Sequence, residues 1–277
     1  MTTISRGRGW MQNDENPLPR PGRSFCSEDV NHTNIINLIN TVNDENLIEK
    51  AEAIVKLVND KTNEQNLENI HRKLYKHALN DKEFGSKLLK VYTCTVFKSV
   101  YDSEKRSFYG HLVECFQIDY ESMRRRKELR DENVMQFYNA ISLFSEFLRC
   151  ITGPHFSRIV QSALLNYMEM LIETSSAEDI KIFAEQVIIH GKHLYSSCKE
   201  ETDNLMIAVR QKLINDNMSV TSRRILLYVI DLSSRNFDVL PDSLQKFYKS
   251  QLENDFKQDD KHIIIKSLTK AKDGNRE

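Results

Sequence analysis

From Asn34 onward, the chain is patterned almost continuously as amphipathic helix. Apolar residues recur at the three-to-four residue spacing of one helix face, and short polar breaks separate the helical stretches, for example at 80–81, 153–154 and 215–217. Paired helices at a spacing of about 40 residues are typical of HEAT-type solenoids. No alternating strand pattern bounded by hairpin turns occurs. The pattern predicts an all-α, HEAT-like helical solenoid of about five antiparallel helix pairs.

The breaks also divide the chain into three regions. Residues 1–30 hold Arg-Gly and Pro-rich segments without apolar periodicity, so we predict a disordered arm. Residues 31–252 form the predicted solenoid, and 253–277 form a charged C-terminal tail in which only the run 262–268, HIIIKSL, is apolar enough to dock. The predicted pairs are 34–43 with 45–59, 65–79 with 81–100, 105–128 with 131–150, 156–174 with 177–191, and 199–216 with 220–235, followed by a short helix at 242–252.

The overall charge excludes a strong global attraction to nucleic acid or membrane. The 39 lysines and arginines nearly balance the 40 aspartates and glutamates, so any RNA contact requires a local basic patch. The five cysteines are widely spaced and form no C-x-x-C pair, which favours buried thiols in a reducing compartment. The sequence has neither a membrane-length apolar run nor a secretion signal. We therefore expect a cytoplasmic protein, with the nucleus as a further location, and no membrane partner.

Motifs of common enzyme classes are absent from the sequence. No G-x-x-x-x-G-K-[ST], G-x-S-x-G or H-E-x-x-H occurs. Gly191-Lys192 lacks a preceding glycine loop and is interpreted as the C-terminal glycine of a helix. His190 and His193 can share a helix face, but this helix offers no carboxylate or cysteine to complete a metal set. We predict a protein that is not an enzyme and needs no cofactor or metal.

The densest basic cluster is Arg124, Arg125, Arg126 and Lys127, with Arg130 one turn beyond. One interpretation is a solvated helix C-terminus, where cations suit the helix dipole. The other is a patch that binds phosphate or an acidic partner, because guanidinium groups form bidentate contacts with both. The sequence leaves both interpretations open.

The N-terminal segment SRGRGW places Arg6, Arg8 and Trp10 within the predicted arm. Arginines in such a segment can follow a phosphate backbone while the indole stacks on a base. The segment can equally act as a short linear motif with Trp10 as its anchor in a partner's groove. A tail without binding function is the third interpretation.

Three segments, in chain order, carry a family resemblance. Residues 108–121, FYGHLVECFQIDYE, match a leucine-rich run that ends in a glutamine and an aromatic-acid pair, here Gln117 and Tyr120-Glu121. Residues 176–195 match an acid-led helix with a Gly-Lys element, and 219–237 match a Ser-Arg-Ile-like helix that ends in Leu-Arg plus an aromatic residue. Together they resemble the middle domain of the initiation factor 4G family, over about 34–252.

That resemblance implies a translation adaptor of the small type. Similar domains occur in polyadenylate-binding-protein-interacting proteins, the histone-mRNA stem-loop-binding-protein-interacting protein and the cap-binding-complex-dependent translation factor. The expected partners are translation initiation factors, among them a DEAD-box helicase, or mRNA-binding proteins. The cations that the resemblance places on the partner-binding side are Lys192, Lys199, Arg223, Arg224 and Arg235.

Two alternatives to the adaptor remain open at the sequence level. The chain can be a direct RNA-binding module that uses Arg6, Arg8, Trp10 and the basic cluster. It can also be a scaffold in small-RNA or germ-cell granules that uses the Arg-Gly dipeptides as ligands. The nearly balanced charge favours protein binding over direct RNA binding.

Overall fold

The computed structural model describes residues 27–59, 64–98, 100–101, 107–121, 123–151, 154–174, 176–215, 217–253 and 263–269. This part of the chain is all-α, as the sequence predicts, with 87% of it in helices. Outside the helices, Tyr101 and Ser107 form an isolated antiparallel bridge. The helices are α1 (Ser27–Asn40), α2 (Leu47–Asn59), α3 (Glu64–Asn80), α4 (Lys82–Thr93), α5 (Thr95–Lys98), α6 (Phe108–Glu121), α7 (Met123–Glu132), α8 (Val134–Cys150), α9 (Pro154–Thr174), α10 (Ala177–Ser197), α11 (Lys199–Asn215), α12 (Val220–Ser234), α13 (Asp242–Leu252) and α14 (Ile263–Thr269).

Polar residues at the predicted breaks begin the helices by accepting hydrogen bonds from free backbone amides. The Asp81 carboxylate accepts from the amides of Glu83 and Phe84 at the start of α4. Ser176 and Ser219 cap α10 and α12 through their hydroxyl oxygens. Such caps satisfy amides that have no partner within the helix. Helix boundaries are therefore fixed locally at the joint between the two helices of several pairs.

The helices stack in two layers, which makes the fold a helical solenoid. One layer runs through α4, α8, α10 and α12, each of which packs against the next. In the other layer, α3 packs against α6 and α9 against α11. Consecutive helices such as α3 and α4, or α9 and α10, pack across the two layers. The two exposed sides of the stack are therefore presented by different sets of helices.

Aromatic side chains fill the centre of the core between the two layers. The Phe116 ring stacks on Phe147 with ring centroids 4.6 Å apart and meets Phe144 edge-on at 4.8 Å. Tyr75 from α3 contacts the same ring at 5.5 Å. Large rings in offset or edge-on contact contribute both apolar burial and favourable quadrupole geometry. This cluster joins α3, α6 and α8 and supports the middle of the solenoid.

The described boundaries differ from the predicted ones at several places: the helix predicted at 81–100 is divided into α4 and α5, α10 extends beyond 191, and three further differences concern α1, α6 and α14. α1 begins at Ser27, inside the predicted 1–30 arm; residues 1–26 lie outside the described part. The helix predicted at 105–128 is divided into α6 and α7, which lets α7 pack along α8. The predicted tail contains α14, whose Ile264 and Leu268 are buried, because this short helix packs on α10 and α13.

Candidate binding surfaces

Helix α12 presents a mixed apolar and cationic stripe on its exposed side. Its opposite face is buried through residues such as Ile225 and Leu226. The exposed stripe carries Val220, Arg223 and Leu227, spaced three and four residues apart, so these side chains lie above one another on one face. Val220 is 63% exposed and Leu227 is 48% exposed. Two aliphatic side chains that flank a guanidinium on the surface form a candidate binding feature, which we call the α12 stripe.

The joint between α10 and α12 brings together the two segments that carry the C-terminal resemblance. After α12, Asn236 and Phe237 adopt φ angles of 55° and 61°, a left-handed conformation that is rare for residues other than glycine. This turn lays the Phe237 ring on Gly191, where an added Cβ would meet a ring carbon at 2.5 Å. The Phe237 ring also contacts the Tyr195 ring, with the two ring centroids 5.8 Å apart.

The interpretation of Gly191 as a helix C-terminus is wrong. Helix α10 continues through it to Ser197. The glycine is instead required in mid-helix because it leaves room for an aromatic ring. Beside it, the Lys192 ammonium forms an ion pair with Asp238 at 2.6 Å, which lowers the pKa of that carboxyl. The sequence pattern identified the right residues here but gave them a different role.

The five cations that the resemblance places on one binding side fall into two groups. Lys192 and Arg235 lie near the C-terminal ends of α10 and α12, and the Lys199 ammonium lies over the Tyr195 ring at 5.5 Å from its centroid. Arg223 and Arg224 lie in the first turn of α12. The axial distance between Arg223 and Arg235 is about 18 Å, at 1.5 Å per residue. The structure therefore does not bring all five together.

Arg223 and Arg224 point in different directions, as their consecutive positions predict. Arg223 is exposed, whereas Arg224 is half-buried and donates to the backbone oxygen of Gln251 in α13, at 3.1 Å. The Arg224 guanidinium thus helps to hold α13 against α12. Arg223 is the member of the pair that faces outward on the α12 stripe.

The basic cluster on α7 is divided between surface and interior. The Arg124 guanidinium is exposed and pairs with Glu128 at 2.6 Å, which raises the pKa of Arg124, mainly through the side-chain hydrogen bond. Arg125 is also exposed. Arg126, by contrast, is buried, and its guanidinium lies 4.9 Å from the centre of the Tyr120 ring. The cluster is therefore neither a uniform solvated helix end nor a single open patch.

Arg130 ties α7 to the C-terminal half of the solenoid. Its guanidinium forms an ion pair with the buried Asp179 carboxylate at 2.6 Å and donates to the backbone oxygen of Met170 at 2.7 Å. The same carboxylate accepts a hydrogen bond from the Tyr138 hydroxyl at 3.0 Å, and burial first, and then Asp179, raise the pKa of that phenol, while Ser176 and Arg130 oppose the rise. Arg130 thus makes structural contacts, which the sequence did not indicate because Asp179 lies far along the chain.

The two histidines of α10 each lie beside a polar side chain of a neighbouring helix, His190 in the interior and His193 nearer the surface. His190 Nε2 lies 2.8 Å from the Ser145 hydroxyl, and His193 Nε2 lies 2.6 Å from the Gln161 amide nitrogen. Burial first, and then Arg149 and His193, lower the pKa of His190 to about 4. His190 and Ser145 are each only 4% exposed, so a substrate has no access to this pair in the described conformation. These contacts serve packing between α8, α9 and α10.

The remaining predicted site residues belong to the N-terminal segment. Arg6, Arg8 and Trp10 lie outside the described residues. Within the described ranges, no helix is long and apolar enough to cross a membrane, and no group of three or more His, Cys, Asp or Glu side chains is arranged to hold a metal ion. No model of a known protein family matches the chain.

Proposed function

We propose that the chain is a non-enzymatic adaptor in mRNA translation or mRNA metabolism, which binds a DEAD-box RNA helicase or an RNA-bound translation factor. The observation that carries the proposal is the α12 stripe, where Val220 and Leu227 flank Arg223 on an exposed helix face. Arginine is enriched among the residues that dominate binding energy at protein interfaces, and the exposed aliphatic side chains beside it would add apolar contact area. The resemblance of α10 and α12 to the initiation factor 4G middle domain supplies the class of partner.

The proposal narrows the predicted binding set to the N-terminal half of α12. Lys192 is paired with Asp238, and Arg224 donates to the backbone of α13. Reversing either charge would therefore disturb contacts within the fold. Arg223 is exposed on the stripe, where a partner can reach its guanidinium. A fitting partner has an acidic side chain beside a small apolar patch, because the acid complements Arg223 and the patch complements Val220 and Leu227.

The first prediction is that Arg223→Glu weakens partner binding and leaves the fold intact. Charge reversal next to an acidic partner surface should lower the affinity by about tenfold or more, which corresponds to about 1.4 kcal/mol for each tenfold step. The measurement is affinity purification of the full chain with quantitative identification of bound translation factors, with and without nuclease. Binding to a purified DEAD-box helicase is then titrated directly.

The matched control is Lys246→Glu, which reverses an exposed charge on α13 away from the stripe. We expect this variant to bind like the unaltered chain. Equal binding by a folded Arg223→Glu variant would exclude the α12 stripe as the partner surface. Loss of binding in both variants would indicate a general charge effect and would also count against the stripe.

Direct RNA binding is the second candidate function, favoured by one observation. Arg124, Arg125 and Lys127 are exposed together on α7, and Arg6 and Arg8 add cations in the N-terminal segment. Phosphate contacts release counterions, so RNA affinity should fall steeply as salt is raised. Nuclease-resistant partner binding with little salt dependence supports the adaptor, whereas steeply salt-dependent RNA retention supports direct RNA binding.

A further inference from the structure

A cleft of about 430 Å³ opens between α3, α6 and α7, on a different part of the molecule from the α12 stripe. Its floor includes apolar side chains of α6 and α7, such as Ile118 and Leu129. Its charged lining residues are Arg72, Lys76, Arg125, Arg126, Glu128 and Glu132. Among the described lining residues, four cations face two carboxylates, and Arg72 is also paired with Glu68 at 2.6 Å, so this described lining keeps a small net positive charge, although the whole chain is nearly neutral.

Arg126 is the unusual member of this lining. It is 6% exposed, its guanidinium lies between the Tyr120 and Tyr167 rings at 4.9 and 5.7 Å, and one terminal nitrogen donates to the backbone oxygen of Tyr120. Its Nε has no acceptor, and no carboxylate of a described residue lies within ion-pair distance. A buried guanidinium without a counter-charge is costly. An anionic group that entered the cleft would relieve that cost.

The two carboxylates restrict the kind of anion that fits. Glu128 is bound to Arg124 at 2.6 Å, and Glu132 lies one turn further along α7 on the same side. A polyanion such as RNA would place further phosphates near these acids, and like charges at short range repel. A single carboxylate on an otherwise neutral or basic segment avoids that repulsion. The volume also suits one side chain with its flanking backbone better than several nucleotides.

We propose that this cleft is a second docking site, which takes an aspartate or glutamate side chain of a partner's peptide segment. The acid approaches the Arg126 guanidinium from the cleft, and a small opening of the lining lets the two groups pair; the exposed Lys76 and Arg125 guide the acid to this point. Glu128 and Glu132 favour a basic residue next to the acid in the bound segment. The site gives an adaptor a second attachment point, independent of the α12 stripe.

The test is selection of a random peptide library on the full chain. Peptides enriched on the unaltered chain should share one acidic position, and replacing that acid by its amide should weaken binding by about tenfold or more. The double variant Lys76→Gln, Arg125→Gln should lose the same peptides. The matched control is Lys127→Gln, which removes one exposed charge from α7 outside the cleft and should retain them.

Two further measurements decide whether the contact is the proposed one. The best selected peptide should shift the Nε–Hε nuclear magnetic resonance signal of Arg126 and leave that of Arg224 in place. A pool of single-stranded RNA should not compete for the cleft. The inference is overturned if no acid-dependent peptide is enriched, if the double variant retains the peptides, if the Arg126 signal does not move, or if RNA displaces the peptide through Lys76 and Arg125.

Discussion

His190 is a buried residue whose protonation should set part of the acid sensitivity of the fold. Burial is the largest cause of its lowered pKa, and the charges of Arg149 and His193 add to it. The folded chain holds the imidazole neutral down to about pH 4, whereas the unfolded chain protonates it near its ordinary pKa of about 6.5. The unfolded state therefore binds more protons between these values, so stability is full above about pH 6.5 and falls as pH is lowered towards 4.

The second prediction follows from this difference in pKa. Between about pH 7 and pH 4, the His190 contribution to the free energy of unfolding should fall by about 3 kcal/mol. Denaturant unfolding across this pH range should show that the free energy of unfolding falls less steeply for His190→Gln than for the unaltered chain, because glutamine cannot take up a proton. The comparison variant His193→Gln removes an exposed imidazole of the same helix, which is only a lesser cause of the lowered His190 pKa, so this variant should keep most of the steep loss of stability. Parallel curves for His190→Gln and the unaltered chain would contradict the assignment.

Gly191 and His190 show what a sequence can and cannot indicate about single residues. The sequence pattern singled out both residues, Gly191 as the end of a helix and His190 as one of two histidines on a possible metal-binding face. Their roles depend on Phe237 and Ser145, which lie 46 and 45 residues away along the chain. No local spacing encodes a contact of that separation. The sequence therefore indicated that these two positions matter, but only the fold shows which residues they contact.

At the scale of elements, the helix pairs were predictable because periodicity and capping act locally. Ser176 and Asp81 mark helix starts in the sequence and cap α10 and α4 in the structure. The break between α6 and α7 was missed because neither glycine nor proline occurs there. The helix α14 was predicted only as a run that could dock, since seven residues are too few for a helix to be stable without tertiary packing. Its buried Ile264 supplies that packing.

The third prediction concerns how α7 is held to the C-terminal helices. Arg130→Met should destabilise the fold by about 3–5 kcal/mol, because it leaves the buried Asp179 carboxylate without its cation. Arg124→Met removes an exposed ion pair of the same helix and should have a far smaller effect on stability, because solvent screens that pair. Chemical denaturation of both variants gives the comparison. Similar small losses for the two would mean that Arg130 does not fix α7 against α10.

At the scale of the whole molecule, the layered arrangement determines which predicted residues can act together. Lys192 and Arg223 both belong to the layer formed by α4, α8, α10 and α12, but they lie towards opposite ends of their helices. The sequence gives the exposed face of each helix, because the helical period is fixed. It does not give which helix ends are neighbours, because that depends on packing between distant segments. The sequence therefore indicated which residues of the candidate surface are exposed cations, but it indicated only partly which of them lie next to one another.

A stack in which each helix pair mainly contacts its neighbours should also respond in a graded way to shortening at one end. The fourth prediction is that deletion of residues 1–26 leaves the melting temperature within about 2 °C, because all of α1 is kept, including Ile35, the first buried side chain among those described in this helix. Deletion of 1–46 removes α1 and exposes its contacts with α2 and α4, where Ile54 and Phe84 are buried. The decrease in melting temperature should be several times larger for this longer deletion than for the deletion of residues 1–26. Thermal unfolding of the two truncated chains makes the comparison, and equal melting temperatures would mean that α1 adds no stability to the stack. A large loss from the shorter deletion would instead show that the N-terminal segment docks on the solenoid, with Trp10 as the first residue to substitute.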